Sequence, residues 1–227
     1  MRPTYTLADI FEAPSRARVL HVLARAKAPM SIRSIARAAH ISHTAAGSTL
    51  KDLDAMGLTS STAVGRAHVY QLHRENAYVR HMVLPAVEAE QAIVRELRSD
   101  LVRRFGEPAD SLILFGSYAT GDQDEASDID VFALVPDERG KQLLEEVAAE
   151  HFSYFSETYG APLSLLVYTR AEVGQHLTEG QNPFRTELES TGIILHGTGV
   201  SEWGIDESEG KDSGGGEEPR QKAARQG

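Results

Sequence analysis

The chain has 227 residues, 41% of them hydrophobic, which is enough for one large or two small domains with apolar cores. It has no cysteine, which excludes structural disulfides and thiolate metal sites, and its nine histidines are scattered without metal-ligand spacing. The net charge of −10 is unevenly spread: the first 75 residues carry ten basic and five acidic side chains, and the remainder carries 13 and 28, so the two halves are expected to meet different partners.

In chain order, Ser15 is a candidate N-cap for an amphipathic helix from Arg16 to Ala26, with Val19, Leu20, Val22 and Leu23 turned inward. Ser31 caps a short second helix with Ile32, Ile35 and Ala36 as its apolar positions. After a turn at His40-Ile41, Ser42 caps a third helix through about Met56, on which Ala46, Leu50, Leu53 and Met56 follow core spacing. Gly57 ends that helix, and two short strands, 58–63 and 67–72, flank Gly65-Arg66.

Three helices followed by a hairpin resemble the winged helix-turn-helix of bacterial regulators similar to the arsenic-repressor family. The resemblance implies DNA binding and transcription regulation, with residues 43–56 entering the major groove. His43, Thr44 and Ser48 are then the base-facing candidates, Lys51 and Arg66 the phosphate contacts, and Arg33 and Arg37 added positive charge.

From Pro85 to Phe105, Val87, Ile93, Val94, Leu97, Leu101, Val102 and Phe105 recur at helical spacing, predicting a connecting helix about 30 Å long. Its stripe packs on its own chain or forms a homodimer face.

A hydrophobic run from Leu112 to Phe115 then stops at Gly116-Ser117, and Asp128 and Asp130 alternate with Ile129 and Val131. Residues two apart on a strand share a face, so the two carboxylates leave the backbone together and suit one Mg²⁺. Gly116 lets the backbone approach phosphate groups, and the Ser117 hydroxyl and following amides can donate to them.

Gly-Ser, ten residues, then Asp-x-Asp resembles the DNA polymerase β nucleotidyltransferase superfamily, and the short length resembles its minimal members. The resemblance implies an α/β (α+β) core with a mixed sheet. It implies transfer of a nucleoside monophosphate from an NTP, such as ATP, to a hydroxyl acceptor. Gly116 and Ser117 would bind the triphosphate, and Asp128 and Asp130 would be the catalytic, magnesium-binding pair. By analogy with antitoxins that modify HEPN-type toxins, the acceptor is a protein or else a small molecule. The family adds a third carboxylate on a later strand; in the candidate strand 163–168, Ser164 stands at that place, and Glu157 is the nearest upstream acid. A serine hydroxyl is a neutral ligand and no carboxylate base, so the alternative is a DNA-binding regulator whose second domain holds nucleotide without turning it over.

Residues 137–159 read as a helix crossing between strands. Asn182-Pro183-Phe184 opens a short helix carrying Leu188, and 193–197 is the last strand. From Gly199 the composition predicts a disordered tail in which Trp203 and Ile205 stay undocked. The expected organisation is a mainly α winged-helix domain over 1–76, a connecting helix over 77–105, a nucleotidyltransferase domain over 106–198 and the tail over 199–227. With no apolar run of membrane-spanning length and no apolar signal core, a cytoplasmic protein without membrane contact is expected.

Overall fold

The computed structural model describes residues 4–65, 67–121, 126–177 and 182–203. The chain divides into two compact units, residues 1–96 and 97–227.

The first unit opens with a short helix α1 (Leu7–Phe11), held by a reciprocal cap between Thr6 and Asp9. Helix α2 (Pro14–Arg25) starts on Pro14 and has no side-chain cap. Proline is suited to the first helical turn because its missing N–H would lack a partner there. Ser15 is therefore not the N-cap expected from the sequence; it lies inside the helix, where its hydroxyl accepts from Thr49 Oγ1 at 3.1 Å. Ser31 and Ser42 do cap α3 (Ile32–Ala38) and α4 (His43–Ala55), each accepting from the amide three residues on. The hairpin strands β2 (Thr59–Val64) and β3 (Ala67–Leu72) pair antiparallel, and a two-residue strand β1 (Met30–Ser31) joins the free side of β3. Leu20, Leu23, Ile35, Leu50, Leu53 and Leu58 form the buried core. Three helices and a wing packed in this way are a winged helix-turn-helix.

A π-helical turn (Val79–Val83) leads directly into α5 (Leu84–Phe105). Pro85 offers no amide to the carbonyl four residues back and its ring crowds that carbonyl, and a widened turn relieves both. The division between units falls inside α5, after Glu96. Of the stripe expected on this helix, Leu97, Leu101 and Phe105 are buried in the second unit, whereas Ile93 and Val94 are 54% and 39% exposed.

The second unit is built on strands β4 (Ser111–Phe115), β5 (Ile129–Val135), β6 (Leu163–Thr169) and β7 (Ile193–Gly197), in the spatial order β6-β5-β4-β7. Only β5 and β6 run parallel, so the sheet is mixed. One face carries Leu112, Leu114, Ile129, Val131 and Ala133 and is covered by α5, by Leu144 of α7 (Glu138–Glu150) and by Phe155 of α8 (Tyr154–Tyr159). The stretch 137–159 is thus two helices rather than the single one expected. The other face carries Ile113, Phe115, Phe132 and Leu134. It is covered by Val173 of α9 (Arg170–His176), Leu188 of α10 (Pro183–Ser190) and Val200.

Residues 199–203 depart from the disorder expected of them. Val200 is buried, Trp203 stacks on Phe132 with centroids 5.3 Å apart, and its indole N–H donates to Thr198 O at 3.1 Å. A composition dominated by polar residues hid two apolar anchors for which the sheet face supplies a partner. The rest of the tail, Ile205 included, lies outside the described residues.

Candidate active site

The strand β4 ends at Phe115, and the backbone turns at Gly116 with φ +67° into a one-turn helix α6 (Ser117–Thr120). Side-chain-bearing residues rarely adopt that conformation. The space is equally restrictive: a Cβ at Gly116 would lie 2.6 Å from the Asp130 carboxylate oxygen Oδ2. Glycine here is the condition for the turn and the carboxylate to sit against each other. The first amides of a helical turn have no acceptor within it. Those of Ala119 and Thr120 reach back to Gly116 O, at 3.1 and 3.3 Å, and the Ser117 and Tyr118 amides head the turn. Tyr118 and Ala119 pack against the first core and hold the turn in place.

On β5, Ile129, Val131 and Ala133 enter the core under α5, so the alternation of the strand turns Asp130 to the opposite face with Phe132. Asp128 precedes the strand and is exposed, whereas Asp130 is half-buried. Burial, followed by the charge of Asp128, holds the Asp130 carboxyl above the usual aspartate value, against the opposing pull of the Ser164 hydroxyl. The two carboxylates are thus close enough to repel each other. Asp130 is level with Phe115 on one side and with Ser164 on the other. The structure therefore brings Gly116, Asp128, Asp130 and Ser164 together, with Ser117 at the head of the adjoining turn.

Glu157 does not join them. It sits exposed on α8, whose Phe155 packs on the sheet face opposite Asp130. Among the described residues no three His, Asp or Glu side chains are grouped to hold a metal ion. The donor set that fits a divalent cation is two carboxylates plus the neutral Ser164 hydroxyl; the Asp130 carboxyl is raised chiefly by burial and further by Asp128, so a cation bound there would favour its ionised form.

In the first unit, α4 buries Ala46, Thr49, Leu50 and Leu53 and leaves His43, Thr44, Ser48 and Lys51 exposed. Thr44, Ser48 and Lys51 are spaced to form one stripe along the helix. Arg66 lies outside the described residues.

The sequence reading missed Asp100. Its carboxylate is buried at the end of α5 and accepts from the hydroxyls of Tyr154 and Tyr159, the latter at 2.9 Å, and from Arg103. Arg104 lies over the Tyr154 ring, 3.8 Å from its centroid. Burial alone would raise this carboxyl, but the two tyrosine hydroxyls and the two guanidinium groups outweigh it and hold it below the usual range. An aspartate between Ser99 and Leu101 on a helical stripe gives no local sign of such partners.

A glycine bend closed against a carboxylate, with a second carboxylate two residues before it, thus lies beside the central strands of a mixed sheet. Comparison with known proteins identifies the family. The family described as "Nucleotidyltransferase domain" matches residues 94–183. A curated protein of Methanocaldococcus jannaschii, named "Putative protein adenylyltransferase", is 34% identical over 93 residues, which span 40% of this chain and 90% of that protein. The chain belongs to the nucleotidyltransferase family and is an enzyme of that class.

Two solved structures overlap it more loosely. The homodimeric winged helix-turn-helix DNA-binding domain Mb0332 of Mycobacterium bovis is 23% identical, covering 36% of this chain and 68% of its own, with a TM-score of 0.28. A toxin-antitoxin structure with AMP-PNP is 20% identical, covering 44% and 73%, with a TM-score of 0.30. No helix among the described residues is long and apolar enough to cross a membrane.

Proposed function

We propose that this nucleotidyltransferase moves the adenylate of ATP to a hydroxyl of a protein acceptor with the help of Mg²⁺, and that its winged helix binds DNA. The observation that carries the first part is the fit of Gly116 against Asp130: with no side chain at the bend, the turn that heads α6 lies directly against the Asp130 carboxylate, whose Oδ2 is 2.6 Å from where a Cβ would stand. Asp128 and Asp130 would hold the cation, with Ser164 as a neutral neighbour. A Mg²⁺ ion held there would neutralise phosphate charge and make the α-phosphorus more electrophilic.

The chain's own groups position the nucleotide. The Ser117 hydroxyl and the amides heading α6 donate to phosphate oxygens, and the Gly116 turn keeps the chain close to them. The acceptor oxygen bonds to the α-phosphorus, the bond to the bridging oxygen breaks, and pyrophosphate leaves. Ser164 cannot take the acceptor's proton, so that proton passes to solvent. The choice of adenylate and of a protein acceptor follows the name of the M. jannaschii relative; a HEPN-type toxin is the acceptor that the family resemblance suggests.

The test is incubation of the full chain with Mg²⁺ and α-labelled ATP, with and without proteins encoded beside it. Label should appear on a protein and be lost with Asp130→Ala. Label that persists in that variant, or that appears only on small molecules, would overturn the reading. For DNA, exposed His43, Thr44, Ser48 and Lys51 support α4 as the reading helix. In a mobility-shift titration, Lys51→Ala should reduce the log-log salt slope by about 0.9. An unchanged slope would remove Lys51 from the interface.

A further inference from the structure

We infer that the groove between the second half of α5 and the outer edge of β7 binds an extended acidic peptide segment of a partner protein. Strand β7 is the last in the sheet order, and among the described residues its outer edge has no partner strand. Unpaired backbone groups on such an edge are a template for a further strand. Its sequence, Ile193-Ile194-Leu195-His196-Gly197, carries no proline, lysine or acid that would block one. The groove beside it has a volume of about 490 Å³, with Arg98, Val102 and Arg103 on one wall and Ile193 to Leu195 on the other. A wall carrying two arginines opposite an apolar strand fits alternating acidic and apolar side chains.

The state of Arg98 supports a missing acceptor. Its Nε is buried and has no hydrogen-bond partner among the described residues. A guanidinium is always charged, and an unmatched donor in its fork is costly once removed from water. Arg103 gives one donor to Asp100, but its side chain is 65% exposed and keeps others free. The setting sharpens the charge argument. Residues 97–227 hold 25 acidic and 11 basic side chains, and three of the 11, Arg98, Arg103 and Arg104, fall within seven residues of α5. An acidic peptide would be repelled by most of this unit and drawn to this groove.

A peptide suits the groove better than a nucleic acid, because a strand edge offers donors and acceptors in alternation, which another backbone matches, and an apolar wall offers nothing to a phosphate chain. Between Leu112 and Ile113 the register of β4 against β7 shifts, leaving Leu195 as an extra residue. Such a bulge adds twist, so the added strand should be short, about three to five residues on strand-length grounds.

The experiment is fluorescence polarisation of the full chain with a labelled peptide of sequence Asp-Val-Glu-Val-Asp flanked by neutral residues. Saturable binding is expected, weakened at least tenfold by Arg98→Glu and by N-methylation of alternate peptide amides. Arg98→Gln serves as a milder variant, and an unchanged melting temperature confirms that each variant folds. Binding that survives both changes would overturn the inference. So would equal competition by an oligonucleotide, which would make the groove a general anion patch. A tenfold gain on deleting residues 204–227 would name the chain's own acidic segment as occupant. A dimer broken by Arg98→Glu would name a second copy.

Discussion

Replacing Asp130 with asparagine should make the protein more stable while destroying its chemistry. The carboxyl is held above its usual value by burial and by Asp128, and Ser164 opposes this only in part. A raised folded-state value means that the folded protein binds that proton more tightly than the unfolded chain. The associated stability is full below the ordinary aspartate range and is lost as pH rises through the folded value, so at neutral pH the ionised group is a burden. Burial is its larger cause; the part due to Asp128 follows from the geometry. Residues two apart in extended chain have backbone positions about 6.7 Å apart, taken as the separation of the two charges. Two unit charges at that distance repel by about 0.6 kcal/mol in water and about 2.5 kcal/mol at an effective dielectric near 20.

Asp128 is exposed, which favours the lower part of that range, about 1 kcal/mol, or about 2–4 °C in melting temperature for a protein of this size. Asparagine has the same shape and still accepts from Ser164, so nothing else need move. Calorimetry of the full chain at neutral pH in chelator should therefore show Asp130→Asn melting above the parent. Lowering the pH through the aspartate range should shrink the gap. Millimolar Mg²⁺ should close or reverse it, because only the parent gains a bound cation. A variant that melts below the parent in chelator at neutral pH would refute the account of a site built at the expense of stability.

Three further outcomes are expected. Gly116→Ala forces a side chain into a φ of +67° and a Cβ to within 2.6 Å of Asp130 Oδ2. It should cost about 1–2 kcal/mol in denaturant titration and lower nucleotidyl transfer at least tenfold. Ser164→Asp places a third carboxylate level with Asp130; the variant should melt lower than the parent in chelator and gain more from added Mn²⁺, a comparison made by the same calorimetry. Asp100→Asn weakens a buried site fed by two tyrosines and Arg103 and should cost about 1–3 kcal/mol. Because the parent's carboxyl lies below the usual range, its stabilising effect is present above that range and is lost as pH falls, so the variant's deficit should shrink in acid melts.

Much of the site was legible because its signals are local. A serine three residues before an amide that needs a partner predicts a helix start, and Ser31 and Ser42 behave so. Ser15 misled because Pro14 already satisfied the first turn and Thr49 offered its hydroxyl a distant partner. Ser164 could be singled out by pattern, but only the parallel register of β5 and β6 shows it beside Asp130. Glu157, closer to Asp130 in the chain than Ser164 is, lies on a helix that packs on the other face of the sheet.

The sequence by itself determined the glycine bend, the paired aspartates and the capped helices of the winged domain. Each depends on backbone preference or residue period within a few positions. Only the tertiary structure decided where α5 divides, that Trp203 returns to stack on Phe132, that Asp100 is sealed under two tyrosines, and that the β7 edge faces two arginines. Those outcomes depend on which elements become neighbours, and contacts between residues tens of positions apart leave no period in the chain to read.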